Sequence, residues 1–551
     1  MESPRRNISE KENIKRALVY SSCHGGTDRM RRRQKGNGGC TGRGEHHCCS
    51  DRGCQDRSRN HSRSPDRGRQ KNLVMPSASC VANLNPLLEG YKEAAMLNPI
   101  YDPLYVIDVN ETRYYLADSY EVSEDGMQIT VKLKEGLKWH DGEAITADDM
   151  IFTMDVCSDT NNGAGGTNIV ILNDQPVKYE KVDDLTVKVT LPMASASYAD
   201  LLGGLTLIPE HVFEGNPSVV SAGEANMKGI GSGPYKVTEF KQDEYLLLEK
   251  YEDYYMGAPS IDKVTFRIIS DLSAQEVALM NGEVNFMELA NAPAVAKYEA
   301  DPNFTVVKYP EGRVNYLAVN KFCETVQDPK VVEAVFAALN RDEIIAGAYG
   351  DGMAESANSI FSNVNTFYDP SVEGYTQDVE KAKQLVKETG LDSKTLTLYF
   401  NSERVYMKES AQIIQQQLKN VGINLEVIPL ESAGFFEKVF GTDGDYEFYL
   451  NGYGAVGDPD QVVAGMYDGT WGVNLAVSDE VSQLWKDART VYTPEERAAI
   501  YKQIQIQTRD ELTCYPIAYP NYVFVTTSNI KGADTIKRTP VFEDYTKLTM
   551  E

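Results

Sequence analysis

The chain has 551 residues, 42% of them apolar and 25% charged, with 42 Gly, 9 Cys and a formal net charge of −26. At roughly 100–200 residues per domain, this length allows two to four packed units, and the average composition excludes a collagen-like chain, a disulfide miniprotein and a wholly disordered chain. The charge is uneven: residues 1–75 hold 18 Lys/Arg against 8 Asp/Glu, so the remainder carries a net −36.

The first 75 residues also contain five of the nine Cys and four of the six His, but one aromatic residue, Tyr20. Text such as RRRQKGNGGCTGRG and RSRNHSRSPDRGR buries too little apolar surface to offset chain entropy, which predicts disorder. Two readings stand side by side. Cys40, Cys48, Cys49, Cys54, His46, His47 and His61 are zinc-ligand types and the Arg-Ser and Arg-Gly run suits RNA, although no Cys-x-x-Cys pair is present. Alternatively, residues 1–79 are a frame-shifted or wrongly assigned leader, and native sequence resumes near Val81-Ala82-Asn83, where the composition changes. This N-terminal text holds no apolar run of the roughly 7–15 residues that a secretory signal needs. Nowhere does an apolar run approach the roughly 18 residues of a membrane helix.

From about residue 80 the text is mixed α/β. Gln128–Lys134 and Leu185–Leu191 alternate apolar and polar residues with period two, as half-buried strands do. Thr146-Ala-Asp-Asp149 followed by Met-Ile-Phe is a helix N-cap with an acidic first turn. Lys236–Phe240, Tyr245–Glu249 and Val264–Ile269 read as three further strands. Val331–Tyr349 is helical but interrupted at Asn340-Arg-Asp, and Val379–Thr389 is a helix closed by Gly390. Thr395–Phe400 is a strand, Val405–Asn420 a helix closed by Gly422, and Asn424–Pro429 a strand; this alternation argues for α/β units with a parallel or mixed sheet.

Catalytic signatures are missing. There is no Gly-x-Ser-x-Gly, no His-Glu-x-x-His and no phosphate-binding lysine loop. Gly229-Ile-Gly-Ser-Gly233 is followed by Pro234 and a strand, the reverse of the dinucleotide-binding order. His140, in Trp139-His-Asp-Gly142, reads as a packed turn residue, and Cys80, Cys157, Cys323 and Cys514 are too scattered to form a framework. No cofactor or metal is expected, nor is nucleic-acid binding by the acidic body. A carboxylate-based hydrolase remains an alternative, because Asp and Glu are abundant.

Several segments resemble the extracytoplasmic solute-binding proteins of family 5, the peptide- and nickel-binding components of bacterial ABC importers. They are Leu116–Gly126, Leu133–Glu143, Gly231-Ser-Gly-Pro-Tyr-Lys236, Asn315–Asn320, Ala334–Arg341, Val379–Lys383, Gly457-Asp-Pro-Asp460 and Glu496-Arg497…Tyr501. The resemblance implies a two-lobed α/β fold of the periplasmic-binding-protein kind with mixed sheets and a hinge. Lobe I would comprise 80–120, 231–310 and 516–551, with 121–230 an insert packed on it; lobe II would be 311–515. It further implies an exported monomeric receptor, periplasmic or tethered like a lipoprotein, that hands its solute to a membrane permease without chemistry. The first strand of lobe I would lie just before Asn85-Pro86, with Leu73-Val-Met75 as a substitute if that text is garbled.

In peptide binders of this family, an Asp two residues before a Gly-Asp-Pro turn holds the peptide's amino group. The matching position here is Ala455, which argues against a dipeptide binder and leaves an oligopeptide as default, with a sugar, amino-acid derivative or metal chelate as alternatives. Around it Tyr453, Gly454 and Asp458 are candidate ligand contacts, as are Trp471 in a glycine-rich loop and Asn474 at a cleft-facing family position. Arg404 takes roughly the place where peptide binders capture a carboxylate, a task that suits its planar fork. Asn85, Tyr101 and Tyr316 complete the candidate set, with core packing or turn formation as the competing task for the tyrosines and Asp458.

Overall fold

The computed structural model of the chain describes residues 70–89, 96–107, 111–172, 174–454, 456–468, 473–535 and 544–551. The zinc, RNA and leader readings therefore fall mainly on residues outside the described ones. Their boundary near residue 80 needs correction: Asn72–Ser77 is already a strand, paired in parallel with Lys263–Ile268. Leu73 and Met75 alternate into the core beside Val264 and Phe266, and Leu73 is fully buried. Three apolar residues in a row, Leu73-Val-Met75, therefore supply the first strand of the body.

That strand begins a four-stranded sheet in the order Asn72–Ser77, Lys263–Ile268, Tyr245–Lys250, Tyr235–Lys241. A second, antiparallel sheet runs Ala117–Val122, Gln128–Leu133, Thr186–Thr190, Lys178–Asp183. Its period-two text has the expected consequence: Ile129, Val131, Val187 and Val189 face one core while their neighbours face outward. Helix Ala147–Ser158 covers this sheet and starts in a capping box, with Thr146 Oγ1 accepting from the Asp148 N–H and Asp149 Oδ2 accepting from the Thr146 N–H.

The third sheet has eight strands, in the order Phe286–Glu288, Cys514–Thr527, Arg313–Val319, Phe448–Gly454, Thr395–Asn401, Asn424–Leu430, with Phe304–Pro310 and Ala354–Ser356 also on Cys514–Thr527. Strand Cys514–Thr527 divides its bonding. Cys514 to Pro520 pair with Arg313–Val319 and Ala354–Ser356, while Asn521 to Thr527 pair with Phe304–Pro310 and Phe286–Glu288. The two partners Phe304–Pro310 and Arg313–Val319 are joined by Glu311-Gly312, where Gly312 adopts φ +69°.

On one face of the third sheet, helices Pro329–Ala338, Val379–Thr389 and Val405–Asn420 pack over Leu317, Leu398 and Leu450. The helical run broken at Asn340 is two helices, the second, Arg341–Ala348, capped by the Asn340 side chain on the Glu343 N–H. The other face buries an aromatic core that includes Tyr316, Tyr449, Tyr453, Tyr467, Trp485 and Tyr501. Among the described residues no helix is long and apolar enough to cross a membrane, and the four cysteines there are unbridged, three of them buried.

Candidate functional site

Strands Thr395–Asn401 and Phe448–Gly454 run parallel, and their C-terminal ends lie together at one end of the third sheet. That is where open α/β sheets bind ligands. Arg404 follows the first of these strands and is the N-cap residue of helix Val405–Asn420, 4% exposed. Its Nη1 donates to the Tyr406 hydroxyl at 3.4 Å, and the Tyr406 ring stacks on Tyr349 with centroids 5.2 Å apart. The Tyr349 hydroxyl accepts from Asn315 Nδ2 at 2.8 Å. Asn315 Oδ1 accepts from Arg313 Nε at 3.1 Å, and Arg313 Nη2 donates to the Gly452 carbonyl at 2.5 Å. Two buried guanidinium groups are thus joined by one short chain of polar side chains. Burial, and then the nearby Arg313 charge, hold the Arg404 pKa below its ordinary value.

Arg313 was not legible as a site residue: in Arg313-Val-Asn-Tyr it reads as the polar start of a strand. Gly452 explains how the pair fits, since a Cβ there would lie 2.0 Å from Asn315 Oδ1 and 2.9 Å from Arg313 Nε. Gly454, the direct cross-strand partner of Arg313, is exposed and has open space beside its Cα.

A second cluster forms where the segment Ser195–Asp200 meets the turn after Gly454. Asp200 Oδ2 accepts from the Asp458 N–H at 2.9 Å. Ser197 Oγ donates to Asp460 Oδ2 at 2.8 Å and accepts from Gln461 Nε2 at 2.6 Å. The Ala196 N–H donates to the Arg489 carbonyl at 2.9 Å, and the Tyr492 hydroxyl to the Gly126 carbonyl at 3.3 Å. Against the same segment three tyrosines gather: Tyr105 and Tyr120 stack 4.5 Å apart at 12°, with Tyr114 6.0 and 6.3 Å from them. Tyr105 is anchored by its hydroxyl to the Ala199 carbonyl at 2.7 Å. None of these residues stands out in the sequence, because Asp200 and Asp458 are 258 positions apart.

The remaining candidate residues have tasks within the fold. Asn85 Oδ1 accepts from the Leu87 N–H at 3.0 Å and its Nδ2 donates to Asn226 Oδ1 at 2.9 Å. The Tyr101 hydroxyl donates to the Leu84 carbonyl at 2.9 Å. The cavity these two residues line is about 10 Å³, room for a water molecule. Tyr316 is fully buried against Tyr453 in the aromatic core. The Tyr453 hydroxyl donates to the Ile360 carbonyl at 2.6 Å. Asn474, also fully buried, donates to the Lys438 carbonyl and the Tyr446 hydroxyl. Asp458 is paired with Arg497 through both oxygens. Ala455 and Trp471 lie outside the described residues.

His140 is a turn residue: Nδ1 accepts from the Gly231 N–H at 3.1 Å, which leaves Nε2 to donate to the Gly233 carbonyl at 2.9 Å. Burial pushes its pKa down to about 4, so the ring is neutral at ordinary pH. Among the described residues no group of three or more His, Cys, Asp or Glu is placed to hold a metal ion.

An α/β body in which one long strand, Cys514–Thr527, divides its pairing between two sets of partners has the architecture of two-lobed binding proteins. Residues 111–474 match the model of the bacterial extracellular solute-binding proteins, family 5 (middle region). The dipeptide-binding protein of Escherichia coli (strain K12) is 27% identical over 499 residues, which cover 84% of this chain and 92% of that protein. The crystal structure of the ABC transporter substrate-binding protein CtaP from Listeria monocytogenes superposes with a TM-score of 0.81 at 33% identity, covering 87% of this chain and 99% of that one. The oligopeptide-binding protein AppA of Bacillus subtilis, solved with a nonapeptide, superposes with a TM-score of 0.69 at 26% identity over 88% and 99% of the two chains. The chain belongs to family 5 of the bacterial extracellular solute-binding proteins, and its function is to bind a solute.

Proposed function

We propose that the chain is the receptor of an ABC importer for an oligopeptide-like solute, held between two lobes and delivered unchanged to a membrane permease. The observation that carries this reading is the buried chain from Arg404 to Arg313 at the strand ends, which suits an anionic terminus of an extended ligand. Kinship with peptide-binding relatives points the same way. Lobe I would comprise 80–120, preceded by strand Asn72–Ser77, with 231–310 and 516–551. The insert 121–230 packs on it, 311–515 forms lobe II, and Glu311-Gly312 with the middle of Cys514–Thr527 acts as the hinge. A solute touching both lobes favours the closed population. The protein works as a monomer outside the cytoplasm, free or tethered to the membrane.

A thermal-shift screen of tripeptides to nonapeptides, oligosaccharides and metal chelates on the full chain tests this. Stabilisation that grows as RT ln(1+[L]/Kd) with peptides, and recovery of the peptide intact by mass spectrometry, is the expected result. A shift confined to sugars or chelates would transfer the receptor role to that solute class. Cleaved peptide would replace it with a hydrolase.

A further inference from the structure

Residues 195–200 and the turn at residues 456–461 lie against different cores. Tyr198, Ala199 and Leu202 pack with the second sheet, whereas Val463, Ala464 and Trp485 pack in the aromatic core of the third. Among the described residues the two cores have no member in common. Hydrogen bonds join the two sides. Ser197 Oγ holds both Asp460 Oδ2 and Gln461 Nε2, and Asp200 Oδ2 takes the Asp458 N–H. The Ala196 N–H reaches the Arg489 carbonyl, and the Tyr492 hydroxyl reaches the Gly126 carbonyl. A polar junction of this kind within a chain behaves like a transient interface and parts more readily than a shared apolar core.

The turn is stiff and reaches a second place. Arg497 holds Asp458 through both oxygens, and Arg489 Nε donates to Asp460 Oδ1 at 2.5 Å. At its other end Val456 lies against Gly312, the glycine at φ +69° between strands Phe304–Pro310 and Arg313–Val319. A Cβ at Gly312 would stand 1.9 Å from Val456 Cγ2. A rigid turn that touches the hinge at one end and the insert at the other moves when the hinge turns, so the junction forms and breaks as one unit. We propose that Ser197, Asp200 and Tyr492 are positioning residues for solute binding. They latch the insert 121–230 onto lobe II, in the free and the loaded chain alike, and the latch parts each time a solute enters or leaves. This rests on the receptor reading above in its lobe division, but not in the identity of the solute. A latch that favours closure equally with and without solute leaves the affinity alone and slows both entry and exit.

Hydrogen exchange of the solute-free full chain, read by mass spectrometry on the peptides that contain Ala196 and Asp458, tests the latch with two variants. Ser197→Ala removes the bonds to Asp460 and Gln461; Ser197 makes no cap bond to its own helix, so Tyr198–Gly203 stays intact. Tyr492→Phe removes the bond to Gly126. Opening as one unit exposes both amides together. Each variant is therefore expected to speed exchange at Ala196 and at Asp458 by about three- to tenfold, the effect of one net hydrogen bond. Strands Gln128–Leu133 and Phe448–Gly454, in the two cores, should exchange as before. Surface plasmon resonance with trialanine should show association and dissociation quickened by a similar factor, with Kd from calorimetry little changed. Release of Ala196 without Asp458, or of neither, would reduce the junction to independent surface bonds and overturn the proposal. A weaker Kd carried by dissociation alone would make these residues solute contacts and overturn it too. If trialanine does not bind the unaltered chain, the peptide reading falls, and the exchange rates decide the latch by themselves.

Discussion

Arg497 grips Asp458 with two parallel hydrogen bonds, Nη1 to Oδ2 and Nη2 to Oδ1, the latter at 2.8 Å, and both residues are less than a tenth exposed. The Tyr501 hydroxyl stands 3.4 Å from Oδ1. Two pieces of text 39 positions apart, Gly457-Asp-Pro-Asp460 and Glu496-Arg497…Tyr501, are thus one object. The pairing fixes the turn that carries Asp458 and Asp460 toward Ser195–Asp200.

Arg497→Met should cost about 3–5 kcal/mol, because it leaves the Asp458 charge buried without its counter-ion. Adding Asp458→Ala to the same protein should recover much of that loss. Urea unfolding of the single and double variants measures both. A double variant no more stable than the single one would show that the pair is not the source of the effect.

Gly231 and Gly233 of the Gly-Ser-Gly-Pro run press on the backbone at Ile100. A Cβ at 231 would lie 2.0 Å from the Ile100 carbonyl oxygen, a main-chain atom with no room to swing away. Gly231→Ala should therefore lower stability by several kcal/mol or prevent folding, since overpacking costs typically 1–3 kcal/mol even where side chains yield. Gly223→Ala is the control: nothing lies within 4 Å of its added methyl, so it should be neutral or gain about 0.4–1 kcal/mol by stiffening the unfolded chain. Melting curves of the two variants should differ by more than ten degrees.

Leu73 tests the start of the fold. It is fully buried between the first sheet and its core partners, so Leu73→Ala should cost about 2–5 kcal/mol. A melt unchanged by this substitution would mean that Asn72–Ser77 is not part of the stable body.

Elements with a local signal were readable from the sequence. Thr146, Gly390 and Gly422 punctuate helices by their own chemistry, and the alternation in Gln128–Leu133 records which face is wet. Leu73-Val-Met75 was readable only as a substitute strand, because three apolar residues do not name their partner. The polar clusters were less legible. Arg404 could be placed from its position after a strand, but Arg313 looks like any polar strand residue until Tyr349 and Gly452 are brought to it by the sheet. Asp200 sits in ordinary helix-start text, Ser-Tyr-Ala-Asp, and acquires a role only through a contact 258 residues away. Conversely, Asn85, Tyr101 and Asn474 are polar residues whose partners are other parts of the same chain, which no spacing rule separates from ligand contacts.

Asp102 and His140 make opposing contributions to the pH dependence of stability. Asp102 is 5% exposed, and burial pushes its carboxyl up to about 7 although the Tyr255 and Tyr254 hydroxyls both donate to Oδ2 at 2.8 Å. The Asp544 charge raises it further and Lys134 opposes. Between about pH 4 and 7 the folded chain holds a proton here that the unfolded chain has released. The Asp102 contribution is therefore complete below pH 4 and lost as the pH rises to 7, by up to about 1.4 kcal/mol per pH unit. His140, held down at about 4 against an ordinary 6.5, has the reverse sign: the unfolded chain takes up a proton that the folded one refuses, so stability falls as the pH drops from 6.5 to 4. In the unaltered chain the two slopes offset each other over most of that window. Asp102→Asn removes one of them while keeping an acceptor for both tyrosines. Its stability relative to the unaltered chain should thus rise steadily from pH 4.5 to 7 and level off above, whereas His140→Gln should gain relative stability as the pH falls below 6.5. Urea midpoints at half-unit intervals from pH 4.5 to 8 measure both trends. An Asp102→Asn advantage of equal size at pH 5 and pH 8 would place the carboxyl at an ordinary pKa and remove the argument.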